Sequence, residues 1–258
     1  GIDGNLTYNK NKVVKFKGED YSLSGVNYIK EGLPINAQYM LTVDRIIQTD
    51  EDLAIVSEML TKKSNAFAAY GVPQKGDLLY KDINGDGLIN SNDRTIVSDG
   101  DNPKWLYGFS PYVSYKGIDF SALIQGVAGV KVYWQHAHYN TPTVRYGYQL
   151  NREVVEGRWY EGRTDARYPR LLQYSDTRNT VASDFYLEDK SYLKIRNIQL
   201  GYTLPQSIAK KMFLQRFRIY GSLENFFTFT SYRGWDPEVS GMAYPSMKQA
   251  VFGINLSF

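Results

Sequence analysis

The end of the chain alternates with a period of two. Ala250, Phe252, Ile254, Leu256 and Phe258 share one face, and Gln249, Val251, Gly253, Asn255 and Ser257 share the other. This is the pattern of an extended strand with one apolar and one largely polar or small face. It recurs upstream: Phe217, Ile219, Gly221 and Leu223 alternate with Arg218, Tyr220, Ser222 and Glu224, and the strand is expected to run on through Phe226-Phe227-Thr228-Phe229. Ile198, Leu200, Tyr202 and Leu204 alternate with Asn197, Gln199, Gly201 and Thr203, and Pro205 ends that strand because it has no N–H to donate. Tyr107 to Tyr115 and Ile118 to Ile124 form a further pair around a tight turn at Lys116-Gly117, and weaker candidates lie at about 2–14 and 36–48. The pattern predicts about seven strands, each long enough at about 3.3 Å per residue to cross a bilayer when tilted.

The 258 residues include 30 basic and 27 acidic side chains, no cysteine, 22 tyrosines, 12 phenylalanines and 22 glycines. No basic block points to nucleic acid. The aromatic content argues against disorder, and the lack of cysteine excludes a disulfide scaffold. No run of about 18 apolar residues offers a membrane helix. The opening Gly1-Ile2-Asp3-Gly4-Asn5 is not a signal peptide and has no initiating methionine, so the chain is expected to be a piece of a longer protein.

Connections between the strands alternate in length. Those at about 116–118 and 205–213 are short, whereas those at about 49–104, 135–191 and 231–247 are long. Transmembrane barrels show this asymmetry, and a periplasmic C-terminus would place all three long loops outside the cell. One helix is expected in the first long loop, with Thr49 and Asp52 as a capping box and Leu53, Val56 and Leu60 as its apolar stripe. The segment from Pro205, with Ile208 and Met212, is read as a structured turn.

The sharpest local motif is the run from Asp82 to Asp93. Asp82, Asn84, Asp86, Leu88 through its backbone carbonyl, Asn90 and Asp93 occupy positions one, three, five, seven, nine and twelve of a calcium-type loop, with Gly87 at six. Calcium needs six to eight hard oxygen ligands, and alternate side chains in such a loop can turn inward. Asp93 stands where glutamate is usual, and the preceding Asp77-Leu78-Leu79-Tyr80 looks extended, so a complete EF-hand is not expected. A bound ion would be structural. Without one, the run reads as a cluster of Asn-Gly and Asp-Gly turns.

Other chemistry is sparse. His136 and His138 are the only histidines, and no carboxylate stands beside them, so they read as loop polar residues. No phosphate loop or nucleophile elbow appears, and no catalytic pair stands out; an enzyme is not expected. Tyr139, Tyr146, Tyr148, Trp159, Tyr160, Tyr232 and Trp235 could stack on a ligand, pack the loops together or border the membrane.

Several stretches together resemble one family. They include Gly76-Asp77-Leu78-Leu79-Tyr80-Lys81-Asp82-Ile83-Asn84-Gly85-Asp86-Gly87, Asn102-Pro103-Lys104, Gln125-Gly126-Val127-Ala128-Gly129 and Ala166-Arg167-Tyr168-Pro169-Arg170-Leu171. Tyr192-Leu193-Lys194-Ile195-Arg196-Asn197, Leu200-Gly201-Tyr202-Thr203-Leu204-Pro205, Asn225-Phe226-Phe227-Thr228-Phe229-Thr230, Gly234-Trp235-Asp236-Pro237-Glu238 and the closing Phe252 to Phe258 follow in order. The chain resembles, over nearly its whole length, the C-terminal part of the SusC/RagA family of TonB-dependent outer-membrane transporters of Bacteroidetes.

That resemblance implies an all-β antiparallel transmembrane barrel segment, the last seven or so strands of a 22-stranded barrel, with residues 1–258 lacking the plug and the earlier strands. It implies import of glycan fragments or peptides, a SusD-like surface lipoprotein partner, energy from TonB through an N-terminal region outside this segment, and outer-membrane lipid around the wall. Phe258 would be the terminal aromatic read by the barrel assembly machinery. The segment is not expected to transport alone. The alternative is a secreted soluble β-sandwich that binds carbohydrate and is stiffened by calcium.

Overall fold

The computed structural model describes residues 1–17, 21–136, 140–241 and 243–258. They form two compact units, one of Gly1–Lys10, Asp101–Lys131 and Glu188–Phe258, the other of Asn11–Gly100 and Val132–Leu187.

The first unit is built on one antiparallel sheet of six strands, each beside its neighbour in sequence: β1 (Ile2–Tyr8), β2 (Trp105–Tyr115), β3 (Ile118–Ala128), β4 (Tyr192–Thr203), β5 (Arg216–Thr230) and β6 (Gln249–Ser257). The alternation read from the sequence becomes two faces. Phe120, Leu200, Gly221 and Phe252 are register partners across β3 to β6 on one face, as are Ile118, Tyr202, Ile219 and Ile254. On this face Ile2, Phe109, Val113, Leu200, Ile219, Phe252 and Ile254 are all exposed. The opposite face carries Asp119, Ser121, Gln125, Gln199, Arg218, Ser222 and Asn255.

An uncovered face of this kind is stable only against an apolar medium, and β2 to β5, at 11, 11, 12 and 15 residues, are long enough to span one. A soluble sandwich would bury the same face under a second sheet, and its exposure does not fit that alternative. Aromatic side chains stand at both ends of the apolar face, with Tyr8 against Trp105 (centroids 4.5 Å apart) at one end and Tyr115 and Tyr202 at the other.

Register places Tyr8, Trp105, Ala128, Tyr192 and Thr230 at one end of the sheet. All three long connections leave from that end and return to it. At the opposite end Lys116 and Gly117 close β2 to β3 with φ of 48° and 86°, the two left-handed residues of a type I′ hairpin. Gly117 is also required by space, since a Cβ there would lie 2.5 Å from the Thr203 carbonyl oxygen. The segment after Pro205 is helical over Gln206–Lys211, rather than a plain turn. Pro205 suits the start of a helix and Ala209 is buried beneath it.

Among the described residues the wall has six strands, against the seven or so expected. The segment 36–48 belongs to the second unit as two four-residue strands, Ala37–Met40 and Val43–Ile46. Its residues are buried nearly without interruption from Ala37 to Leu41, Tyr39 excepted, which suits a globular core and not a two-faced wall. The first strand likewise stops at Tyr8, where the polar run Asn9 to Lys12 ends the alternation.

The second unit has its own core of Leu41, Ile47, Val56, Phe67, Leu78, Leu79, Tyr80 and Ile89. The expected helix spans Asp50–Lys62. Its capping box is formed, with the Asp52 N–H donating to Thr49 Oγ1 at 3.2 Å and the Thr49 N–H to Asp52 Oδ2 at 3.2 Å, and Val56 is buried. The unit's two chain segments are joined at Asp77, which is fully buried. Arg170 donates to both of its carboxylate oxygens, at 2.7 and 3.1 Å, and Asn179 Nδ2 adds a bond at 3.0 Å. Asp77→Ala would leave the partly buried Arg170 guanidinium and the fully buried Asn179 amide without their partner. It is expected to destabilise this unit by about 3–5 kcal/mol, read as loss of hydrogen-exchange protection across residues 74–80 and 168–180.

Candidate functional site

The polar face of the sheet holds two ionic groupings. Near the short-turn end, Arg218 of β5 grips Asp119 of β3 with two parallel hydrogen bonds, the Nε bond at 2.9 Å, reaching across β4. Gly201 makes room for it, because a Cβ there would sit 2.4 Å from Arg218 Nη2 and 2.6 Å from Asp119 Oδ2.

The larger grouping lies toward the other end, where the connection 231–248 meets the wall. Lys194 of β4 is only 2 % exposed. Its ammonium donates to Glu238, to Asp236 Oδ2 at 3.4 Å and to Ser246 Oγ at 3.2 Å. Arg196 also donates to Glu238 and, through Nη1, to Asn225 Oδ1 at 3.0 Å, while the Tyr192 hydroxyl donates to Glu238 Oε1 at 2.8 Å. A buried lysine is tolerated only when its charge is met in this way.

Backbone geometry brings these residues together. The register of β4 shifts between Ile195 and Asn197 against both neighbours, and Asn225 on β5 takes φ 57° at the same level. This bulge changes the parity of the strand. Without it Lys194 would share the face of Ile198 and Leu200; with it Lys194 lies opposite Gln125 and Thr228 on the polar face.

Asp236 is the pivot of the connection. Burial by itself would raise its carboxyl, but the N–H groups of Glu238 and Ser246, the Ser246 hydroxyl and the Lys194 ammonium together bring it down to about 2. Glu238 is likewise lowered against the effect of its burial, by Lys194, Tyr192 and Arg196. Beside this latch is a cleft of about 520 Å³ whose walls include Phe226, Thr228, Trp235 and Lys248. Trp235 is half exposed, and the Lys248 ammonium lies 5.9 Å from the centre of the Phe226 ring. An aromatic face, hydroxyls and a cation suit binding.

The calcium-type loop folds as a compact turn within the second unit. Asp82 accepts from the N–H groups of Gly85 and Gly87, both at 2.7 Å, and Asp86 Oδ1 accepts from the Leu88 N–H at 2.8 Å. Asn84 accepts from the Asp86 N–H and Asn90 from the Asn92 N–H. Asp93, fully buried, accepts from Ile83 at 3.0 Å and from Asn90 at 2.8 Å. The Leu88 N–H is thus engaged, and Lys63 donates to the Asp86 carbonyl. Among the described residues no group of three or more His, Asp or Glu side chains forms a ready metal cage. Each carboxylate oxygen that takes one N–H retains a second lone-pair direction.

The other sequence candidates disperse. His136 is bonded through its backbone to Asn140, whereas His138 and Tyr139 lie outside the described residues. Trp159 and Tyr232 are buried packing residues; Tyr146, Tyr148 and Tyr160 are exposed. Lys194 was not singled out by the sequence reading. A lysine within an otherwise two-faced strand, with an Asp-Pro-Glu triplet downstream, was the available signal.

No family model matches the chain. It is 28 % identical over 98 % of its length to the TonB-dependent receptor P39 of Formosa agariphila, and 26 % identical over 98 % to the TonB-dependent receptor P3 of the same organism. It is 24 % identical over 98 % of its length to the TonB-dependent receptor SusC of Bacteroides thetaiotaomicron. The chain spans about a quarter of the length of these curated relatives, 24 to 28 %. In fold it matches a chain of the RagAB peptide transporter with a TM-score of 0.74 at 23 % identity, and a chain of the RagAB peptide importer in its open-open state with 0.70 at 24 % identity. Each match covers all of this chain and 26 % of the other.

Acid should release the latch. The Asp236 carboxyl lies below its ordinary 3.8, so its stabilising contribution is complete above about pH 4 and is lost as pH falls through about 2. In fluorotryptophan-labelled protein, the Trp235 signal is expected to move to its unfolded position over that window. In Asp236→Asn it is expected to be displaced already at pH 6.

Proposed function

A relative of the TonB-dependent receptors of SusC/RagA type, this chain is, we propose, the C-terminal arc of the wall of an outer-membrane nutrient importer. The observation that carries the reading is the six-stranded sheet with an exposed apolar face, a polar face opposite, and all three long connections at one end. The apolar face borders outer-membrane lipid, the polar face lines the passage, and the long connections face the outside. The C-terminal end of the arc would lie in the periplasm.

The cargo would be glycan fragments or peptides. A SusD-like surface lipoprotein would cover the mouth, and TonB would act through parts of the whole protein outside this segment. The polar face supplies binding, with no bond-making step. Phe258, exposed beyond β6, is the aromatic proposed to be read by the assembly machinery.

The test uses the full-length protein in its own outer membrane. Deleting the gene, or dissipating the proton gradient, is expected to lower uptake of a labelled oligosaccharide and oligopeptide panel at least tenfold, and a plasmid copy should restore it. An affinity-tagged copy is expected to retain a surface lipoprotein. Uptake indifferent to the gradient would overturn the importer reading.

We propose in addition that the loop from Asp82 to Asp93 takes calcium in a structural role. Support comes from the ligand spacing and from a fold already organised around Asp82 and Asp93. Calorimetric titration with calcium is expected to release heat and raise the melting temperature, and Asp82→Ala or Asp86→Ala should abolish both effects. No heat with the unaltered protein removes the ion from the proposal.

A further inference from the structure

We propose that the connection between β4 and β5 is a membrane-surface anchor, lying against anionic lipid headgroups at the end of the sheet opposite the long connections. The inference rests on the membrane reading of the wall. Residues 204–217 contain Lys210, Lys211 and Arg216 and no acidic residue. The helix Gln206–Lys211 buries Ala209, and Leu214 is buried just beyond it. Ile208 and Met212, four residues apart and so on one side of the turn, are exposed.

Phe213 is 93 % exposed and adopts φ 60°. The left-handed region is unfavourable for a bulky residue. A ring held there without burial gains nothing from water.

Two observations choose lipid as the partner. The first is continuity: Arg216 pairs with Ser257, so the connection adjoins the edge of the apolar face where Leu256 and Phe258 are exposed. The second is charge. An exposed apolar cluster flanked by cations and free of acids suits a phosphate-bearing interface, where the rings sink to the acyl boundary and the lysines reach the headgroups.

These 258 residues carry no cysteine, so once any cysteine elsewhere in the full-length protein is changed to serine, single labels can be placed cleanly. Nitroxides at Met212→Cys and Phe213→Cys in the full-length protein, held in nanodiscs of phosphatidylethanolamine and phosphatidylglycerol, would be probed with molecular oxygen and a water-soluble nickel complex. Ser207→Cys serves as the polar reference and Val113→Cys as the wall reference. The oxygen-to-nickel accessibility ratio at positions 212 and 213 is expected to exceed that at 207 several-fold and to fall when Lys210 and Lys211 are both changed to Glu.

A ratio equal to that at 207 would show water and overturn the anchor, as would exclusion of both probes, which would show a protein cover. A ratio unmoved by the charge reversal would overturn the anionic partner. If position 113 itself reports water, the membrane reading fails; if 113 reports lipid and 213 does not, only the anchor fails.

Discussion

A strand that borders lipid can give its backbone N–H and C=O groups only to another strand. Most of what is seen in the sheet follows from that constraint. β2 to β5 are long because the ladder must persist through the apolar layer. They meander because consecutive antiparallel neighbours leave no backbone group waiting for a distant partner. Among the described residues β1 and β6 pair on one side only and are the two edges of the sheet.

The ladder also decides where polarity can be placed. Period-two geometry gives each residue one face, and a charged residue on the wrong parity would meet lipid. The bulge between Ile195 and Asn197 resolves such a conflict, carrying Lys194 and Tyr192 to the side where Glu238 waits. The ion cluster thereby fixes the connection 231–248 to β4 and leaves the half-exposed Trp235 beside the cleft. A buried ionic latch of this kind is weak evidence for stability and better understood as a device that fixes one arrangement.

What could be read from the sequence is what local chemistry determines. The alternation in β5 and β6, the Lys116-Gly117 hairpin and the Thr49 capping box each lie within a few residues, and each appears as read. The segment 36–48 does form strands, but they belong to the second unit and not to the wall, because local apolar content cannot tell a wall strand from one buried in a globular core. The Lys194 latch was hidden twice, once by a bulge that reverses strand parity and once by partners 42 to 52 residues away. The calcium-type run was legible as a turn cluster; its hydrogen bonds show how the carboxylates organise the loop.

Asp77 carries a consequence for how the second unit closes. Its principal partners, Arg170 and Asn179, lie 93 and 102 residues later in the chain, beyond the whole β2–β3 hairpin. Until they are in place, the carboxylate has no guanidinium to meet it and cannot leave water without a large cost. The earlier half of the second unit can therefore collapse but not close. Its completion is a long-range event, because residues 101–131 of the other unit lie in sequence between the two halves.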